Sequence, residues 1–238
     1  MSMGISRYLA MTAAEMETFS LSDKDTLAYM ACHFSLYGTG LSNIPVLLPP
    51  GAMLILNDRT PIHGHDPQRI AAQLLQALEN LHFESVLLDF QRPEQSELPS
   101  FCRTLVTELS CPVGVSELYA DALDCPIFLP PLPLDQPLEA YVAQHKGREI
   151  WLDIATDAAC ITVAENGSRM EYLPFSLPPE ETFLDASLHC RYRAEVLENE
   201  IKFSLWRDLE QLEALAEEAQ TLGITKCIGL YQQLCANA

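Results

Sequence analysis

Unbroken apolar runs of strand length, separated for most of the chain by segments of helical period, constrain this sequence more than any other feature. The runs are "AYMACHF" (28–34), "AMLILND" (52–58), "SVLLDF" (85–90), "PVGVSE" (112–117), "PIFLPP" (126–131), "EIWLDIA" (149–155), "IKFSLW" (201–206) and "KCIGLY" (226–231). Continuous hydrophobicity suits parallel strands covered on both faces. Two of the intervening helices are clearly marked. Asp66 caps the first and Pro67 occupies its first turn, with Ile70, Ala71, Leu74, Leu75, Leu78 and Leu81 forming one stripe. Asp208 caps the second, Leu209, Leu212, Leu215 and Ala216 form its stripe, and Gly223 stops it. Repeated strand–helix–strand units of this kind predict a parallel sheet with right-handed crossovers.

With 238 residues, 48% of them hydrophobic, the chain has the size of one large α/β domain, residues 1–238. The fold expected is a (β/α)₈ TIM-type barrel. It is incomplete or irregular on its N-terminal side, because the first strand and residues 35–51 are weakly patterned. A small antiparallel insertion is expected at about 156–200. There, one hairpin turns at Asn166-Gly167 and another near Glu198-Asn199. The proline-rich "LPPLPLDQP" (129–137) reads as a bend rather than a linker.

The charge balance excludes whole classes of partner. Lys and Arg number 14 against 33 Asp and Glu, a formal net charge of −19. Such a chain repels phosphate backbones and anionic lipid, so neither nucleic acid nor a membrane is expected as a partner. The start shows no signal-peptide pattern, and no apolar run approaches the roughly 20 residues of a membrane span. The eight cysteines (32, 102, 111, 125, 160, 190, 227 and 235) form no C-x-x-C pair and no cluster. A cytoplasmic protein with reduced thiols follows as the expectation.

The chemistry is concentrated in Phe83-Glu84-Ser85-Val86-Leu87-Leu88-Asp89-Phe90-Gln91-Arg92-Pro93. Side chains alternate along a strand, so Leu87, Asp89 and Gln91 share one face while Val86, Leu88 and Phe90 share the other. The second face suits packing on helices, which turns Asp89 and Gln91 inward at the C-terminal mouth, where barrel enzymes place their sites.

This stretch resembles the catalytic strand of family 18 glycoside hydrolases, the chitinases and their relatives, written F-D-G-x-D-x-D-[WF]-E-Y-P. Phe83, Asp89, Phe90 and Pro93 fit that pattern and Glu84 keeps its first acid. The middle acid is Leu87, and the catalytic glutamate is Gln91. The resemblance extends over about 50–235. It takes in a final strand–helix–strand unit, in which Tyr231 stands where the family often has tryptophan, and an inserted module ahead of that unit. Other family positions are altered too. A strand that usually ends Gly-Gly ends in Asn57-Asp58-Arg59, and the strand usually ending Met-x-Tyr-Asp corresponds to "IFLPPLP".

In that family the substrate's own acetamide attacks and the last acid protonates the departing oxygen. A glutamine has no proton to give at neutral pH, and loss of a general acid costs roughly 10²–10⁴ in rate. The resemblance therefore implies a degenerate motif (Glu84, Leu87, Asp89, Gln91) with no catalytic residue assigned. The candidate ligand-binding set is Asp58, Asp89, Gln91, Glu117, Asp153 and Tyr231, with His33 and Arg207 also at strand ends. His63, His65 and Asp66 have chelating spacing but lack a third ligand, so a solvent loop ending in a helix cap is favoured over a metal site. No cofactor motif is present.

Three readings stay open, with enzymatic activity the less favoured. One is a non-hydrolytic barrel that binds a carbohydrate or other small molecule. Another is a glycoside hydrolase using different carboxylates, such as Asp58, Asp89 and Glu117. The last is a scaffold whose mouth is plugged by the N-terminal segment or by "LPPLPL". Ligand identity and oligomeric state are not set by the residues. Thiol titration of freshly purified, unfolded protein should find eight free cysteines; four disulfides would overturn the cytoplasmic expectation.

Overall fold

A computed structural model of the protein describes residues 6–18, 25–93 and 97–235. Residues 1–5, part of the stretch inspected for a targeting signal, lie outside them. In chain order the elements up to the middle of the chain are β1 (Ser6–Met11), α1 (Ala13–Met16), β2 (Asp25–Phe34), β3 (Leu41–Ser42), β4 (Met53–Asn57), α2 (Pro67–Leu81), β5 (Ser85–Asp89), α3 (Leu98–Glu108), β6 (Val113–Ser116), α4 (Glu117–Ala120) and β7 (Ile127–Leu129). They continue with α5 (Leu138–Val142), β8 (Ile150–Asp153), β9 (Asp157–Ala164), β10 (Gly167–Leu173), β11 (Phe183–Asp185), β12 (Cys190–Val196), β13 (Glu200–Arg207), α6 (Leu209–Thr221), β14 (Lys226–Leu230) and α7 (Tyr231–Leu234).

Among the described residues, eight parallel strands close a barrel in the order β1, β2, β4, β5, β6, β7, β8, β14. The expected (β/α)₈ barrel with an antiparallel insertion is therefore the fold observed, and its ring of strands is complete. The irregularity sits where it was expected, on the N-terminal side. Between β1 and β2 the described chain has only the four-residue α1, and between β2 and β4 only the two-residue antiparallel β3. β2 also shifts register between Tyr29 and Cys32.

Two strand assignments are corrected. β1, which closes the ring between β14 and β2, was not among the apolar runs singled out. "IKFSLW" is not a barrel strand: it is the middle of β13, at the centre of a five-stranded antiparallel sheet ordered β10-β9-β13-β12-β11. That sheet occupies 157–207, somewhat more than the 156–200 expected, and both expected hairpins are present.

Alternation along the strands separates two cores. Val86, Leu88, Phe90, Leu54, Leu56, Val113 and Val115 face the helices, where Ile70, Ala71 and Leu74 of α2 pack. Tyr8, Ala28, Met53, Ile55, Leu87, Phe128, Trp151 and Ile228 fill the barrel itself. The caps behave as their residues require. Asp66 accepts from the Gln68 N–H at 3.1 Å and Asp208 from the Gln211 N–H at 3.2 Å.

The barrel's N-terminal end is closed by a buried lysine paired with an exposed glutamate. Lys226 Nζ donates to Tyr8 Oη at 2.9 Å, Glu84 Oε1 at 3.0 Å and Ser85 Oγ at 3.2 Å. It also lies 4.7 Å and 4.9 Å from the ring centres of Tyr8 and Trp151. At the junction with the inserted sheet, the fully buried Arg207 guanidinium donates to the carbonyls of His189, Leu132, Pro133 and Leu188. "LPPLPL" is thereby fixed against the inserted sheet, with Leu134 in that sheet's own core.

Trp151 fits in the barrel because β6 presents Gly114 to it. A Cβ at 114 would stand 2.3 Å from the indole ring. Gly114→Ala should therefore overpack the interior and cost about 1–3 kcal/mol in a urea unfolding titration. An unchanged midpoint would show that the ring has room to move.

Candidate functional site

A cavity of about 470 Å³ opens at the C-terminal ends of the barrel strands. Leu87, Ile55, Phe128 and Ile228 line its apolar part; Asp89, Gln91, Asp153, Asn57, Asp58, Arg59 and His33 supply its polar groups. Each polar side chain comes from the last two residues of a strand or from just beyond it. Asp89 ends β5, Asp153 ends β8 and Asn57 ends β4.

Gln91 is exposed, and its side-chain amide donates to Asp89 Oδ1 at 2.5 Å. The glutamine thus acts as a hydrogen-bond donor to its neighbouring carboxylate. Asp58 is buried and fully employed: Oδ1 accepts from the Gln91 N–H at 3.2 Å and Oδ2 from the Arg92 N–H at 2.9 Å. It lines the cavity, yet its lone pairs hold the loop after β5 in place. Arg92 extends that clamp by donating to the Arg59 carbonyl at 2.6 Å. Asn57 Nδ2 donates to the carbonyls of Met30 and Cys32 at 2.9 and 3.0 Å, in the stretch where β2 slips register. The same irregularity brings Met30 and Ala31 to the cavity wall. His33 Nδ1 lies 2.8 Å from the Phe34 carbonyl, and Nε2 lies 3.2 Å from the Asn43 amide nitrogen. A carbonyl can only accept, so Nδ1 is the ring nitrogen that donates to Phe34.

The remaining sequence candidates lie elsewhere. Glu84 is at the opposite end of the barrel. Burial alone would raise its pKa, but the Tyr8 hydroxyl and Lys226 outweigh burial and hold it below the usual carboxylate range. Glu117 does not line the cavity, because β6 ends one residue earlier and Glu117 opens α4, where it meets His145 Nε2 at 3.1 Å. Tyr231 begins α7 and packs on the helix-side core rather than the cavity. Arg207 serves the junction described above. His63 sits 3.5 Å from Glu97, and His65 Nδ1 lies 2.9 Å from the Ile62 carbonyl. Asp66 caps α2, as the helix-cap reading required. Among the described residues no group of three or more His, Cys, Asp and Glu is placed to hold a metal ion.

Sequence reasoning missed Thr12 and Ala10 on the cavity wall because it missed β1. The signal was present: Thr12 and Glu15 form a capping box directly after an apolar run.

The electrostatics centre on two carboxyls. Burial pushes the Asp153 pKa up to about 7, with the charges of Asp89 and Asp157 adding to it. Burial also raises Asp89; the Gln91 amide opposes this and Asp58 reinforces it. Because Gln91 donates to Asp89, the charged form is favoured there, and Asp153 is the carboxyl raised further of the two. The cavity therefore offers two carboxyls of unequal proton affinity, amide groups and an apolar floor.

No family model and no curated protein sequence matches the chain. Solved structures do. The spore cortex-lytic enzyme SleL of Bacillus cereus aligns with a TM-score of 0.56 over 96% of this chain and 71% of its own, at 9% identity. SleL of Bacillus megaterium QM B1551 gives 0.53 over 95% and 70%, at 8% identity. A chitinase from Chromobacterium violaceum ATCC 12472 gives 0.55 over 95% and 93%, at 9% identity. The likeness is one of fold. Chitinase-type and SleL-type barrels share this chain's architecture, and at such identities they say nothing about which side chains the mouth retains.

An acid whose folded-state pKa lies above its unfolded value costs stability as the pH rises through the interval between the two. For Asp153 that interval runs from the ordinary aspartate value of 3.8 to about 7. Asp153→Asn should raise the Tm at about pH 8 by a few degrees and leave it unchanged near pH 4. A shift that is the same at both pH values would show that Asp153 does not carry the proton.

Proposed function

We propose that this chain is a chitinase-like barrel that binds a neutral, hydroxyl- and amide-bearing ligand of carbohydrate type at its mouth without hydrolysing it. The observation that carries this reading is the Gln91 amide, held at 2.5 Å from Asp89 at the position where the resemblance expects a proton donor. Glutamine keeps nearly the shape of glutamate and still donates and accepts hydrogen bonds, so recognition survives where proton transfer does not. Leu87, an apolar floor residue, adds a second loss relative to the resembled motif. The net charge of −19 argues against nucleic-acid and membrane-surface partners. Among the described residues no helix is long and apolar enough to cross a membrane. Cytoplasmic residence is part of the proposal and rests on the cysteines, which form no disulfide among the described residues.

One observation favours a second reading, a hydrolase with a non-standard carboxylate pair. Asp89 and Asp153 line one cavity and are raised unequally by burial, Asp153 further, the kind of divergence that assigns acid and base in many sites. It replaces the earlier set of Asp58, Asp89 and Glu117, since Asp58 is committed to the loop and Glu117 lies outside the cavity.

Calorimetric titration with N-acetylglucosamine oligomers, run beside hydrolysis of a chromogenic chitobioside, separates the two. The binding reading expects a calorimetric signal that Asp89→Ala weakens at least about tenfold, with no turnover by the wild type or by Gln91→Glu. Turnover abolished by Asp153→Asn would establish the second reading, and the absence of both binding and turnover would end the carbohydrate proposal.

A further inference from the structure

The inserted sheet has two free edges of unequal character. β11 is three residues long, too short to template much pairing. β10 is seven residues long, and all of it except Met170 is exposed, so nothing in the described chain covers that edge. Pro174 ends it beyond Leu173. Proteins usually protect such edges with repelling charges, a bulge or a cover. β10 has none of these. Its register with β9 is unbroken from Gly167 to Leu173.

Its two charges are arranged for attraction. Arg169 and Glu171 lie on one face, either side of Met170, and neither makes an ion pair among the described residues. On the other face Met170 lies in register with Ile161, which pairs in turn with Phe203, so that the apolar side of the sheet runs out to the edge.

We propose that β10 pairs antiparallel with β10 of a second copy of this chain, about a two-fold axis through Met170. In that register each Arg169 opposes Glu171 of the other copy, Met170 opposes Met170, and the apolar faces of the two sheets join on one side. The contact is self-complementary, as a two-fold interface must be. Alternative registers fail on the same residues. A slip that sets Arg169 against Arg169, or Glu171 against Glu171, opposes like charges, and an odd slip puts apolar side chains against the charged face. The pairing goes beyond the proposed ligand site, which lies at the barrel mouth. It works against the repulsion between two chains of net charge −19, which salt screens over about 8 Å at 0.15 M.

Sedimentation equilibrium of the full chain in 0.15 M and 0.5 M salt, with circular dichroism to verify folding, tests the pairing by charge exchange. The wild type is expected to dimerise reversibly. R169E and E171R should each weaken the dimer about tenfold or more, and the double variant R169E/E171R should restore it to within about threefold. Amides of 167–173 should exchange more slowly as protein concentration rises. A wild type monomeric at about 0.5 mM overturns the proposal. So does a dimer indifferent to the single exchanges, a double variant that fails to recover, or protection of this edge that appears only when a foreign peptide is added.

Discussion

A barrel closes only if its first and last strands meet, and here one buried ammonium organises that meeting. Lys226 on β14 reaches Tyr8 on β1, Glu84 at the start of β5 and the Trp151 ring on β8. A charge withdrawn from water must be paired and hydrogen-bonded to be tolerated. The carboxylate, hydroxyls and aromatic faces that satisfy Lys226 come from strands spread around the ring. The barrel's base is therefore charged but compensated, and the stacked residues above it, Trp151 over Gly114 among them, occupy the interior up to the cavity floor. Depth at the mouth is thus set from below.

At the upper end the polar groups divide between holding the frame and facing the ligand space. Asp58 and Asn57 spend their hydrogen bonds on backbone, one on the loop after β5 and the other on the slipped strand β2. Asp89, Gln91 and Asp153 remain for chemistry. The amide of Gln91 favours the charged form of Asp89, against the burial that raises it. Burial and the neighbouring charge of Asp89 together raise the pKa of Asp153, 64 positions further along the chain (153 − 89).

Much of this frame was legible in the residues. Unbroken apolar runs announced the barrel strands, and strand alternation alone turned Asp89 and Gln91 inward. The failures have physical causes as well. "IKFSLW" looked like a buried barrel strand, yet Ile201, Phe203 and Leu205 alternate with Lys202 and Ser204, the mark of an antiparallel strand. Glu117 followed an apolar run and so resembled a mouth residue, but the strand stops one residue short of it. The coupling of Asp153 to Asp89 depends on tertiary distance, which no local pattern encodes.

The position of β14 has a consequence for how the molecule is made. It lies between β1 and β8 in space but follows every other barrel strand in the chain. During synthesis the partial barrel presents two unpaired parallel edges, β1 and β8, until residues 226–230 clear the ribosome. A nascent chain in that state has much of its core assembled and no means of closing it. Chaperone attention, and the danger of illegitimate strand pairing, should therefore concentrate in the interval between the emergence of β8 and that of β14.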